Sequence, residues 1–136
     1  MKSSILTFFL SIILATTLAH GVTNVVIPAN AQAAINAAQN GDSIGLLPGA
    51  VGPLTINNKE IILKAQGDTP PVISKIESNR SKLTLIGLNV AEVNAADAGI
   101  PSKLVVHGGK YGRITSSVSD ARISYAKANY LILSKV

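Results

Sequence analysis

The stretch from His107 to Arg113, HGGKYGR, groups an imidazole, an ammonium, a phenol and a guanidinium within seven residues. Lys110 and Arg113 could meet a carboxylate through charge-assisted hydrogen bonds, and His107 is conceivable as a general base. His107, Lys110 and Arg113 are therefore the candidate substrate-binding residues. The alternative is a glycine-rich turn between strands whose charges are solvated. No acid or nucleophile stands at a useful spacing from His107, so no catalytic residue is assigned.

The other motifs of ligand chemistry are missing from the sequence. The seven Asp and Glu residues are dispersed and form no DxDxDG calcium loop, so neither a metal site nor a cofactor is predicted. The formal net charge is +5, but the basic residues are scattered and aromatic residues make up 4%. A nucleic-acid interface needs basic residues clustered on one face, so a nucleic-acid partner is not expected. Mild basicity would suit an acidic polysaccharide.

Residues 1–21, MKSSILTFFLSIILATTLAHG, have the pattern of a secretory signal peptide: a positive start, an apolar core and small residues at the end. Cleavage is expected after Ala19 or Gly21. The apolar core is short for a membrane span, so no stable span is expected after cleavage, although an uncleaved anchor is the alternative. The chain has no cysteine, and an export product without disulfides suits a secreted or periplasmic protein of the bacterial envelope.

The elements that position the candidate residues begin with a helix predicted over about residues 30–40. Its apolar residues share one helical face: Ala31, Ala34, Ile35 and Ala38. Asn30 is the expected N-cap, and Gly41 suits the left-handed position that closes a helix. A helix of this length is marginal alone in water, so it must pack on the rest of the chain.

Short apolar segments separated by turns follow the helix, and their spacing indicates a repeat. SKLTLIGLNV begins at Ser81 and SKLVVHGGKY begins at Ser102, while similar segments begin at Asn58 and Ala128. Such spacing is typical of solenoids, in which each repeat is one turn. The sequence therefore predicts an all-β solenoid, a right-handed parallel β-helix of about four coils over residues 43–136, with the N-terminal helix as its cap. A β-sandwich with similar spacings is the alternative.

Two features depart from the repeat. The stretch from Ala91 to Pro101, AEVNAADAGIP, is predicted to be the longest loop between strands, either a wall beside a groove or a passive excursion. The sequence ends at YLILSKV, in strand-like sequence with no capping segment behind it. It is therefore expected to be truncated, and its uncapped last coil is expected to self-associate through open strand edges.

The N-terminal half of the sequence resembles the N-terminal part of right-handed parallel β-helix proteins of the pectate lyase-like superfamily. The resemblance lies in the order of three segments, which are the helix, NGDSIGLLPGAVGPLTI and NKEIILKAQGDTPPVIS. The resemblance is most specific from Gln32 to Ile73. It is similar in particular to secreted bacterial lyases acting on alginate or chondroitin, and equally to β-helix proteins without known activity. The resemblance implies a groove along one sheet for an acidic polysaccharide, β-elimination with a Lys or Arg base, and Ca²⁺ or Arg at the uronate carboxylate.

These observations give two expectations for function. The first is a secreted protein that binds or cleaves acidic polysaccharide, with the chain as an incomplete N-terminal piece of it. The second is a non-catalytic β-helix protein of the cell surface, acting in adhesion or carbohydrate binding.

Overall fold

The computed structural model describes residues 23–97 and 101–134, so the predicted signal peptide at 1–21 lies outside the described residues. Twelve strands, a 3-10 turn and one short helix make up the described chain. In chain order they are β1 (Thr23–Val26), the 3-10 turn (Pro28–Asn30), α1 (Ala31–Ala37), β2 (Asp42–Leu46), β3 (Ala50–Val51), β4 (Leu54–Asn57), β5 (Glu60–Ala65), β6 (Val72–Asn79), β7 (Lys82–Ile86), β8 (Asn89–Ala96), β9 (Lys103–His107), β10 (Lys110–Ser116), β11 (Asp120–Ser124) and β12 (Lys127–Leu133).

The strands form two sheets in which every pairing is parallel. The first sheet has the order β1-β2-β5-β7-β9-β11, and the second has the order β12-β10-β8-β6-β3, with β4 also pairing with β6. Each turn after the first contributes to both sheets in succession. This arrangement is a parallel β-solenoid with a short helix near its N-terminus, which confirms the predicted fold class.

The solenoid has about five turns, one more than predicted. The sequence comparison matched Ala128 to Ser102, whereas Ala128 pairs beside Tyr111 in the second sheet. The true partner of β9 in the next turn is β11, whose Asp120 lies opposite Lys103. That last turn, from Lys103 to Asp120, is shorter than the turn before it, which runs from Lys82 to Lys103. A constant repeat length therefore matches β9 of the first sheet with β12 of the second sheet, although the two strands are not equivalent.

Inward-facing aliphatic side chains stack in columns along the solenoid axis. One column runs through Ile61, Leu83 and Leu104, whose exposed fractions are 1% or less. Alternate residues of a strand point to opposite faces of the sheet, so the residues between them face outward and are mostly polar. The core is therefore a set of ladders of Ile, Leu and Val, and the outward residues form parallel columns of their own.

The second sheet bends where the inward–outward alternation is interrupted. The strand pairing omits one residue on each of three strands: Ser74, Ala91 and Gly112. Each of these residues is followed by a second outward-facing residue, so two successive side chains face outward. Backbones approach closely there, because a Cβ built on Gly112 would lie 2.4 Å from the carbonyl oxygen of Ala91. Glycine at position 112 therefore lets β10 follow the bend of β8.

The N-terminal helix takes the place of a strand in the second sheet, and the turn that holds it begins with β1, which the sequence analysis did not predict. β1 pairs with β2, and α1 contacts β4. The backbone N–H of Thr55 donates to Gln32 Oε1 at 2.9 Å, and Gln32 Nε2 donates to the Thr55 carbonyl at 3.1 Å. The Gln32 amide thus gives the edge strand β4 the two hydrogen bonds that another strand would have given.

The predicted helix face and the N-cap position of Asn30 are confirmed, but the predicted C-terminal end, near residue 40, is wrong because the helix ends at Ala37. Ala31, Ala34 and Ile35 are buried. Asn30 occupies the N-cap position without a side-chain capping hydrogen bond, and the chain is already extended at Ala38. The left-handed Gly41 therefore lies beyond the helix, in the turn that leads to β2. The helix ends are fixed by the neighbouring turns of the solenoid instead of by local caps.

The stretch from Ala91 to Pro101, predicted as a loop, is strand β8 as far as Ala96, and its residues 98–100 lie outside the described residues. Val93 and Ala95 are buried there and continue the inward columns. Ala95 lies in register between Ser78 and Ser116, so this inward column is built from small residues. An alanine-rich, polar-rich segment therefore looked like a loop although its alternation is that of a strand.

Candidate functional site

The structure places the three candidate residues on two different sheets. His107 ends β9 in the first sheet, whereas Lys110 begins β10 and Arg113 lies within it in the second sheet. The Gly108–Gly109 turn separates them, and Gly109 has a φ of 96°. A Cβ on Gly109 would lie 2.1 Å from the Leu88 carbonyl oxygen. Glycine is thus required for the change of direction that parts His107 from Lys110.

His107 belongs to a small polar and aromatic group at the corner of the first sheet. Its Nδ1 lies 2.9 Å from Ser124 Oγ, and its ring meets the ring of Tyr125 edge-on with centroids 5.3 Å apart. Both His107 and Tyr125 are exposed. The group lies on the surface. Among the described residues, no carboxylate is hydrogen-bonded to His107, so the histidine has no acidic partner for catalysis.

Lys110 lines an open cleft of about 450 Å³ at the bend of the second sheet. Its lining residues come from four successive turns: Val72, Asn89, Val90, Ala91, Lys110, Tyr111, Gly112, Lys127 and Asn129. Asn89, Lys110 and Lys127 are direct neighbours in the strand register. The cleft therefore crosses the strands and runs along the solenoid axis, with amide and ammonium groups on its rim and apolar atoms beneath them.

The two lysines of this cleft are adjacent like charges. Adjacent parallel strands are about 4.8 Å apart, so the side chains of Lys110 and Lys127 leave neighbouring points on the same face. Both residues are exposed, and neither takes part in an ion pair with any residue that the structure describes. Like charges directly opposite each other are destabilising, and a bound anion between them would relieve that repulsion.

Arg113 lies farther along the same sheet, in a row whose charges compensate one another. Lys75, Glu92, Arg113 and Tyr130 are in register across four strands. The guanidinium carbon of Arg113 is 5.9 Å from the ring centroid of Tyr130, a cation–π contact. Lys75 Nζ is 2.8 Å from Glu77 Oε1, and this hydrogen bond raises the pKa of Lys75. This row is close to neutral, unlike the rim that holds Lys110.

The outer face of the first sheet carries a comparable row, which is also compensated. Glu60, Lys82, Lys103 and Asp120 are neighbours in register, and a cleft of about 250 Å³ lies beside the first three. Asp120 accepts a hydrogen bond from Arg122 at 3.1 Å, which lowers the pKa of Asp120. With two acidic and two basic residues, this row attracts an anion less than the lysine pair does.

Sequence reasoning found Lys110 but missed Lys127, Asn89 and Asn129. Lys110 and Lys127 become neighbours only when the short length of the last turn is known. Recognising that GKYGR and AKANY occupy equivalent positions would have supplied the missing signal. The asparagines carry no sequence pattern that marks them, because their role depends on the bend.

Two further observations concern other chemistry. Among residues 23–97 and 101–134, no three His, Asp or Glu side chains lie close enough together to hold a metal ion. Within the same residues, no helix has the length and apolar character needed to cross a bilayer.

Comparison with known proteins adds no relative to this description. No protein-family model, curated protein or solved structure matches the chain significantly.

Proposed function

We propose that this protein binds acidic polysaccharide outside the cell, through the cleft at the bend of the second sheet. The observation that carries the proposal is the adjacent, uncompensated pair Lys110 and Lys127. A uronate carboxylate is the anion that fits best, because a linear polymer can follow a cleft that crosses several turns. The predicted signal peptide supports a secreted or periplasmic location.

The residues around the lysines suit a sugar chain. Each ammonium donates charge-assisted hydrogen bonds to a carboxylate, and the amides of Asn89 and Asn129 both donate and accept, as hydroxyl groups require. Val72 is 59% exposed beside them and offers apolar surface to a pyranose ring. The cleft is open along its length, so it can admit an internal segment of a polymer as well as a chain end.

Cleavage by β-elimination is a further expectation, which comes from the resemblance to pectate lyase-like proteins. It requires a base beside the C5 proton together with a neutralised carboxylate. Arg113 and the lysine pair are cationic groups on the same sheet, but the described residues do not converge on one reacting atom. Binding is therefore the function proposed, and non-catalytic adhesion at the cell surface is its simplest biological form.

The experiment measures binding of the purified protein to alginate, pectate and chondroitin, with uncharged dextran as the negative control. The double variant Lys110→Gln/Lys127→Gln should bind an acidic polymer about tenfold or more weakly, a loss of about 1.4 kcal/mol or more. The matched control Lys64→Gln/Lys82→Gln removes the same net charge from the first sheet and should bind like the parent. Equal losses in both variants would mean that only net charge matters, and would refute the proposed cleft.

The same samples test cleavage. Unsaturated uronate products absorb in the ultraviolet, so their appearance would establish a lyase, and binding without absorbance would leave a non-catalytic binding protein. Absence of binding to every acidic polymer would refute the proposed function.

A further inference from the structure

The two ends of the solenoid differ in a way that bears on assembly. At one end, β11 and β12 each have one edge without a strand partner among the described residues. Leu131 and Leu133 continue inward-facing columns there, but they are 49% and 53% exposed. The residues below them in those columns, Ile114 and Ser116, are 0% and 1% exposed. Within the part of the chain that the structure describes, the turn formed by β11 and β12 thus presents inward-facing columns as a surface.

The other end presents a strand edge and a surface without charge. Among residues 23–97 and 101–134, β1 pairs on one side only, with β2, and Val25 and Ile27 are 48% and 51% exposed beside it. No charged residue occurs from position 23 to position 41. The side of α1 that faces away from the core carries the exposed Ala33 and Ala37, which are small enough to let another surface come close.

We propose that a second copy of this chain stacks end to end on the first, with β11 of one copy pairing in parallel with β1 of the next. The first sheet then continues across the junction. On the other side, the aliphatic side chains of β12 cover the exposed alanine face of α1. This assembly is separate from polysaccharide binding, because neither end surface includes the lysine cleft.

The strand register defines which residues meet at the junction. Val25, Gly45, Lys64, Ile86, His107 and Ser124 form one outward column, one residue per turn. Continuation of that column places Ser124 of one copy opposite Val25 of the next. The contact joins two different surfaces, so it does not close on itself as a twofold dimer does, and repeated addition gives a chain of molecules.

Engineered cysteines test this register, because the chain has no cysteine of its own. Residues opposite each other on adjacent strands have Cα atoms about 4.8 Å apart, within the range of about 4.4–6.8 Å that a disulfide needs. A mixture of Val25→Cys and Ser124→Cys proteins should give a covalent dimer under oxidation. The double variant carrying both changes should give a ladder of larger covalent species on a non-reducing gel.

The controls separate this arrangement from other forms of association. Thr84→Cys lies in the middle of the first sheet and should not cross-link to Val25→Cys. Efficient cross-linking of Ser124→Cys with itself would mean that two C-terminal ends meet, and would overturn the proposal. Absence of cross-linking in the Val25→Cys and Ser124→Cys mixture would also overturn it, provided that circular dichroism shows both proteins folded.

A charge placed on the α1 surface gives a second test. Ala33→Glu puts a carboxylate where β12 of the neighbour should pack, on an exposed helix position that tolerates glutamate well. Light scattering coupled to size exclusion should show its average mass falling towards the monomer. Ile86→Glu adds the same charge to the middle of the first sheet and should keep the mass of the parent. Equal masses for the two variants, or a monomeric parent at every concentration, would contradict the stacking.

Discussion

Lys59 joins the N-terminal helix to the next turn of the solenoid, and its removal should destabilise that end of the molecule. Its Nζ donates to the carbonyl oxygens of Ile35, Asn36 and Ala38 at 2.8, 2.7 and 2.7 Å. These carbonyls stand at the C-terminal end of α1, where the carbonyl oxygens of a helix lack their usual partners within it. Lys59 is therefore the C-terminal cap of a helix that lies more than twenty residues before it.

The size of the effect follows from these contacts. Hydrogen bonds to a charged group contribute about 1.5–3 kcal/mol each, and their contributions to one ammonium are not additive. A cation at a helix C-terminus contributes about 0.3–1 kcal/mol more, while holding the lysine side chain in place costs about 2 kcal/mol of rotamer entropy. Lys59→Met should therefore lower the free energy of unfolding by about 2–3 kcal/mol, equivalent to a fall of roughly 10 °C in Tm.

Thermal and denaturant unfolding followed by circular dichroism measures this change. Lys82→Met is the matched control, because Lys82 is exposed and forms no ion pair with the described residues, and its effect should stay within about 0.5 kcal/mol. Lys59→Arg should fall between the two, since a planar guanidinium cannot converge on three carbonyls as an ammonium does. Equal stability of Lys59→Met and Lys82→Met would refute the capping role.

Three other substitutions test the packing of the solenoid. Gly109→Ala should lower the free energy of unfolding by about 4 kcal/mol or more, or prevent folding, because the added Cβ would lie 2.1 Å from the Leu88 carbonyl oxygen. Gly52→Ala is the control in the same melting assay and should be close to neutral, because a Cβ there has nothing within 4 Å. Tyr111→Phe should raise the free energy of unfolding by about 1 kcal/mol, because the buried hydroxyl has no hydrogen-bond partner among the described residues. The same burial raises the pKa of Tyr111. A loss of stability in urea unfolding would instead show that the hydroxyl has a partner. Arg80→Gly should stabilise by about 0.5–1 kcal/mol. The φ of 49° at Arg80 costs a residue with a side chain about 1–2 kcal/mol, and the greater conformational entropy that glycine loses on folding offsets about 0.5–1 kcal/mol of the gain. A lower urea midpoint than the parent would show that the arginine side chain contributes more than its strain costs.

The sequence could predict the features of this fold that depend on local alternation. The buried face of α1 and the inward columns through Leu83 and Leu104 were both readable from residue type and spacing. The features that depend on the length of a turn were not. In the second sheet, the turn from Asn57 to Asn79 is longer than the turn from Lys110 to Lys127, so no single period aligns all the strands. The extra turn was missed for this reason, whereas the strand nature of β8 was missed because its alanines and polar residues resemble a loop.

The N-terminal turn shows a second limit of sequence reasoning. Asn30 and Gly41 are the residue types that cap helices, yet Asn30 stands at the N-cap of α1 without a side-chain hydrogen bond, and Gly41 lies beyond the helix. The capping groups come from Lys59, and the missing strand partner of β4 is supplied by Gln32. Both residues act across turns, through contacts 21 to 24 residues apart in sequence. A local pattern cannot reveal such contacts before the stacking of the turns is known.

The same geometry decides where a binding site can form in this molecule. Residues three apart on one strand are separated by about 10 Å. Where a turn leads from one sheet to the other, as it does between His107 and Lys110, the two residues also belong to different sheets. Residues one turn apart lie about 4.8 Å from each other, as Lys110 and Lys127 do. Side chains that act together in a parallel solenoid are therefore found along its columns. The cluster HGGKYGR is dense in sequence but dispersed in space, whereas the lysine pair is dispersed in sequence and adjacent in space.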